Sequence, residues 1–127
     1  RSRDTSLVVA AESAPSGGGE QHDIQTLLGY ADTAAGAAEF ERDRKNGDIV
    51  LEFRAIADNA ITDARIRYKF FSTTQAGDLN TPLGGGTAAL TGATVEEGEA
   101  ILTYVLGRYL LVYGDGAATK YRITRVA

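Results

Sequence analysis

Two stretches in the middle of the chain alternate apolar and polar residues with a period of two. In residues 48–57 (DIVLEFRAIA), Ile49, Leu51, Phe53 and Ala55 fall on one side and Glu52 and Arg54 on the other. In residues 63–72 (DARIRYKFFS), Ile66, Tyr68 and Phe70 interleave with Arg65, Arg67 and Lys69. Strand side chains point alternately to opposite faces, so each stretch predicts a strand with one buried face. The short link between them predicts an antiparallel pair, which sets Arg54 beside Arg65 or Arg67. Residues 100–113 (AILTYVLGRYLLVY) read as a further β region with Gly107 as a bulge or bend. Gly114-Asp115-Gly116 then turns the chain into 119–126 (TKYRITRV), where Tyr121 and Ile123 alternate with Lys120 and Arg122.

The pattern changes toward the N-terminus. Residues 6–11 (SLVVAA) form a short apolar run, a strand or a docking arm carrying Leu7, Val8 and Val9. The breaker cluster 13–19 (SAPSGGG) follows, so residues 1–22 read as a flexible arm and glycine-rich linker, with 23–127 as a single β-rich domain. Between 23 and 45 the spacing is helical: Ile24, Leu27, Leu28 and Ala31 recur at helical intervals behind Asp23 as a cap. Residues 33–45 (TAAGAAEFERDRK) are rich in helix formers, with Asn46-Gly47 to close the helix. A hairpin turning at Asn46-Gly47 is the rival, but it sets Glu41 opposite Glu52; the helix is preferred. Residues 73–92 read as a long glycine- and threonine-rich loop around Pro82.

Helical signals precede the strands and do not alternate with them, which disfavours a doubly wound parallel sheet. The expected fold is all-β: an antiparallel sandwich or partly open barrel of about five to seven strands, with a short N-terminal helix.

Composition changes this picture little. A hydrophobic fraction of 43% and a charged fraction of 24% suit a folded domain and argue against wholesale disorder. The absence of cysteine excludes disulfides and thiolate metal sites within this chain. A net charge of −4 argues against generic nucleic-acid binding, and no apolar run reaches the length of a membrane span. Neither nucleic acid nor membrane insertion is expected as a partner.

Candidate chemistry is sparse. The single histidine, His22, sits beside the glycine linker, where nothing in the sequence preorganises it as a base. Glu96, Glu97 and Glu99 precede a strand and could gather with Glu52 or Asp115 as a carboxylate pair, although acids in that position more often keep an apolar strand soluble. Residues 84–89 (GGGTAA) match a dinucleotide-loop spacing, but neither the preceding buried strand nor the following helix is legible. Asp58, Asn59 and Asp63 fit turn chemistry better than a calcium loop. No cofactor, metal or catalytic group is therefore expected.

The cationic strip is the most informative feature. Arg54, Arg65, Arg67 and Lys69 are expected on one sheet face, with Lys120 and Arg122 repeating the pattern on the last strand. Such a strip suits a polyanion, a subunit contact with an acidic neighbour such as 96–99 of another copy, or a solvated face. Tyr104, Tyr109, Tyr113 and Tyr121 are expected to be partly buried; an exposed row of them would favour carbohydrate binding. Together these features lead to an expectation of a non-enzymatic assembly protein: a virion, tail, decoration or surface-layer component, located in a virion or at a cell surface. It would associate with itself or with other structural subunits. An extracellular carbohydrate- or protein-binding sandwich is the alternative, and a small carboxylate hydrolase the third reading.

Overall fold

A computed structural model describes residues 7–13, 19–56, 63–72, 81–91, 98–116 and 120–127. Within them the elements run β1 (Leu7–Ser13), β2 (Glu20–Asp23), α1 (Ile24–Leu27), α2 (Ala34–Lys45), β3 (Val50–Ile56), β4 (Asp63–Phe71), β5 (Gly84–Thr91), β6 (Ile101–Tyr104), β7 (Tyr109–Gly116) and β8 (Lys120–Arg125). The strands form two four-stranded sheets of order β1-β8-β3-β6 and β2-β7-β4-β5, called here sheet A and sheet B. Every pairing is antiparallel. The sheets are open and stack as a sandwich.

The strand order has a simple origin. Folding one long ribbon back on itself pairs the first strand with the last, the second with the seventh, the third with the sixth and the fourth with the fifth. All four of those pairs are present. Wrapping the ribbon then brings β3 against β8 and β4 against β7, which closes each sheet into its four-stranded order. This connectivity is the jelly roll: two interleaved Greek keys in a double-sheet sandwich.

The alternating residues do what their period requires. Leu51, Phe53 and Ala55 of β3 are fully buried, as are Ile66 and Phe70 of β4 and Ile123 of β8. The two sheets meet where the Phe53 and Tyr68 rings stack, with centroids 4.1 Å apart and planes within 6°. Tyr68 meets Phe70 edge-on at 6.0 Å. Burial raises the pKa of the Tyr68 hydroxyl, partly opposed by its hydrogen bond with Thr103. Such aromatic pairs add to the area they bury, so this layer contributes more than its area alone to the cohesion of the sandwich.

Helix α2 is specified locally at both ends. The Thr33 hydroxyl accepts from the Gly36 amide at 3.0 Å, and Gly47 leaves the helix at φ +75°, a conformation that favours glycine. Phe40 is buried and packs edge-on against Tyr30 at 5.5 Å. The Tyr30 hydroxyl donates to Asp43 at 2.6 Å, and the buried Arg125 guanidinium lies 5.9 Å from the Tyr30 ring centre. The helix preferred over the hairpin for residues 33–45 is thus the observed element, and Tyr30 bridges its Asp43 to Arg125 of β8.

Four expectations are corrected. First, β3 and β4 do not pair: the link 57–62 carries the chain from sheet A to sheet B. Period-two burial identifies a strand's buried face but not its neighbour, and a link of that length spans the roughly 10 Å between stacked sheets. Second, β2, read as linker up to residue 22, is a strand paired with β7, while β1 takes the strand reading of 6–11 and pairs with β8, with a register shift between Val8 and Ala10. Backbone pairing along an existing strand needs no strong side-chain pattern, so nothing in the linker composition announced it. Third, residues 100–113 are two strands in different sheets, joined through the buried Gly107. Fourth, part of the expected loop 73–92 is β5, a strand of glycine and small residues on the edge of sheet B. The expected antiparallel all-β sandwich is the observed class, with eight strands among the described residues.

Phe53→Ala removes one ring of the stacked pair and leaves a cavity between the sheets. It is expected to cost about 3–5 kcal/mol in denaturant unfolding; a loss below about 1 kcal/mol would show that the sheets are held together elsewhere.

Candidate functional site

The six cations of the expected strip divide between the two outer faces of the sandwich. Arg54 lies on sheet A, half-buried, where its Nε donates to Glu52 Oε1 at 3.1 Å and its Nη1 to the Gly98 carbonyl at 2.9 Å. Its register partner on β8 is Arg122, and Lys120 stands opposite Ile56 on the same pair of strands. Arg65, Arg67 and Lys69 lie on sheet B, facing out because Ile66, Tyr68 and Phe70 face in. Arg54 is therefore not beside Arg65 or Arg67, and the carboxylate that meets it is Glu52 of its own chain. Glu99 is exposed, while Glu96 and Glu97 lie outside the described residues. Leu7, Val8 and Val9 belong to the β1 backbone ladder.

The outer face of sheet B brings together groups from three strands. Arg67 stands between Tyr113 of β7 and Thr87 of β5, and Lys69 between Leu111 and Gly85. Arg65 stands opposite Asp115 in register. Lys69 Nζ lies 5.7 Å from the centre of the Tyr113 ring, a cation–π contact. Gly85 of β5 shares the outward face with Lys69 and puts no side chain there, and a concavity of about 250 Å³ opens between Gly84–Gly86, Lys69, Arg67 and Tyr113. A Cβ at Gly85 would lie 2.1 Å from the Tyr68 carbonyl oxygen, so the floor stays bare by steric necessity. The glycines that resembled a dinucleotide loop are this floor, within a strand.

At one end of the sandwich, a bidentate ion pair ties β2 to the turn before β7. Arg108 Nε and Nη2 donate to Asp23 Oδ1 and Oδ2 at 2.9 and 2.7 Å. Asp23 also caps α1 by accepting from the Gln25 amide at 3.2 Å. The hydrogen bond from Arg108 is the main cause that holds the Asp23 carboxyl below its ordinary pKa of 3.8. Arg44 makes a second fork to Glu41, 2.8 Å to each oxygen, and lowers that carboxyl likewise. Next to both forks, a cleft of about 260 Å³ runs between α2 and residues 106–108. Leu83 and Leu106 stand exposed on its rim.

His22 is not the loop histidine the sequence suggested. It lies on β2, its side chain only 10% exposed, and Nε2 stands 2.8 Å from the hydroxyl of the fully buried Tyr121 on the opposite sheet. Among the four tyrosines, Tyr121 is buried, Tyr109 and Tyr113 are half-buried on sheet B, and Tyr104 is 60% exposed. The last was unexpected, and it matters. Leu102, at 61%, and Tyr104 project outward from β6, an edge strand of sheet A. Among the described residues, no cluster of three potential metal ligands occurs, and no helix is long and apolar enough to cross a membrane. No protein-family model, curated protein or solved structure matches this chain.

The Arg108–Asp23 fork has a pH signature. Because Asp23 is depressed in the folded state, its contribution is full above 3.8 and is lost as pH falls through the lowered value. Arg108→Met is expected to lower stability at neutral pH by up to about 1 kcal/mol, the range of a solvent-accessible pair. Denaturant midpoints of parent and variant should converge on acidification; a gap that persists undiminished at low pH would assign the loss to packing.

Proposed function

We propose that this protein is a non-enzymatic structural subunit that associates with copies of itself, as a component of a virion shell, tail or surface layer. The observation that carries the reading is the strand order. Eight strands wound as a jelly roll are one of the architectures from which capsid proteins are built, although lectins and cupins share it. Topology alone does not fix function, so the reading also needs a contact surface.

Four exposed apolar side chains supply it. Leu102 and Tyr104 stand out from the β6 edge at 61% and 60% exposure, and Leu106 and Leu83 follow at 39% and 49%. The Leu106 side chain lies against Gly84 and that of Leu83 against Gly107, which joins the turn after β6 to the start of β5. Large apolar residues grouped at a sheet edge, rimmed by the Arg44–Glu41 fork, have the composition of a subunit contact. Leu7–Val9, the docking residues expected from the sequence, lie on β1, the opposite edge strand of sheet A. The basic residues of sheet A are less suited to such a contact, since Arg54 is engaged within its own chain.

Light scattering coupled to size exclusion tests this directly. The chain is expected to elute at a multiple of 13.4 kDa, and Leu102→Glu with Tyr104→Glu is expected to return it to a monomer. Both positions are exposed, so melting should move by no more than about 4–8 °C, the equivalent of about 1 kcal/mol. A parent chain that stays monomeric at every concentration would remove the proposal.

A further inference from the structure

We propose that the glycine-floored concavity on sheet B binds a carboxylate-bearing sugar ring, one acidic monosaccharide residue at a time. The concavity opens on the outer face of β4, β5 and β7 of sheet B, whereas Leu102 and Tyr104, the residues changed to test assembly, lie on β6 of sheet A; the 81–83 turn borders both surfaces.

Three kinds of group converge there, each matched to a part of such a ligand. Tyr113 offers a half-buried aromatic ring held by the β7 ladder, a flat apolar surface for the C–H face of a pyranose. Lys69, 5.7 Å from that ring centre, and Arg67, opposite Tyr113 in register, place cations on the near side for a carboxylate. Thr87, opposite Arg67 on β5, adds a side-chain hydroxyl among the lining groups, suited to ring hydroxyls. The bare backbone at Gly85 allows the ring to approach the sheet, and Pro82 lies at the margin.

Size and charge favour this ligand over a polymer of phosphates. About 250 Å³ is below the volume typical of sites for drug-sized molecules and suits one sugar residue. Polyanion binding gains from many neutralised phosphates along an extended basic track. Here the overall charge is −4, and Arg65, the next cation along β4, stands opposite Asp115 in register. The site is suited to one negative charge beside one flat ring.

The test is an NMR titration of the labelled full chain with methyl glucuronide, methyl glucoside and uridine monophosphate. The glucuronide is expected to shift the Gly85 and Thr87 amides and the Tyr113 ring signals. It should bind about tenfold more tightly than the neutral glucoside, the worth of one charge-assisted hydrogen bond. Lys69→Gln should erase that preference while leaving the glucoside unchanged, Lys69→Arg should restore it, and Tyr113→Ala should weaken both sugars. All three substitutions sit on the outer face, and an unchanged melting temperature would show that they leave the fold intact. Equal affinity for the two methyl glycosides, shifts elsewhere on the molecule, or no shifts would overturn the proposal. Tighter binding of uridine monophosphate at the same residues would overturn it in favour of a nucleic-acid face.

Discussion

Stacking of Phe53 on Tyr68 joins the two sheets, and the rest of the architecture follows from the need to keep that layer dry. Each ring belongs to an alternating stretch, all of β3 and residues 65–70 of β4, so burying one residue commits the register of its stretch. Once β3 and β4 face each other across the core, they cannot be neighbours in one sheet. Their open edges are taken by β8 and β7, and the chain crosses between sheets at every link except β4–β5. Crossing at nearly every link is what makes the connectivity a jelly roll.

The same constraint distributes the surface chemistry. Within the alternating stretches a residue next to a buried one faces outward, so the cations of 65–69 go to one side of the molecule and Arg54, Lys120 and Arg122 to the other. Sheet A keeps its charges occupied internally, with Arg54 held by Glu52 and Gly98, and offers apolar side chains at its β6 edge. Sheet B presents cations and tyrosine around a floor without side chains. The proposed self-association draws on the first of these surfaces and the proposed ligand site on the second.

Much of this was legible in the sequence, and the failures have physical causes. The buried faces of β3, β4 and β8 follow from period-two alternation, and α2 from composition and its capping residues. Strand partners were not legible, because alternation is the same whether a neighbour lies in the same sheet or across the sandwich. β2 and β5 were missed for another reason: Glu20–Asp23 and Gly84–Gly86 have low strand preference alone, and only the ladders of β7 and β4 hold them extended. The inward turn of His22 was hidden by the same error, since a residue assigned to a linker has no face. Composition did reveal the absence of cysteine, and the alternation of 65–69 predicted that Arg65, Arg67 and Lys69 share the outward face of β4. Its aromatic partner Tyr113 lies 46 positions from Arg67 and is brought beside it only by the β4–β7 register.

The central claim is that β3 pairs with β8 and lies across the sandwich from β4. The chain has no cysteine, so disulfide trapping can be read without a background. Arg54 and Arg122 are direct register partners, and paired strand residues have Cβ atoms about 4.5–5.5 Å apart, within reach of a disulfide after slight adjustment. Arg54→Cys with Arg122→Cys is expected to cross-link on mild oxidation, and Arg54→Cys with Arg65→Cys to stay reduced, because those positions face away from each other on opposite sheets. Cross-linking of the second pair and not the first would mean that β3 and β4 form a hairpin, and the jelly roll would be wrong.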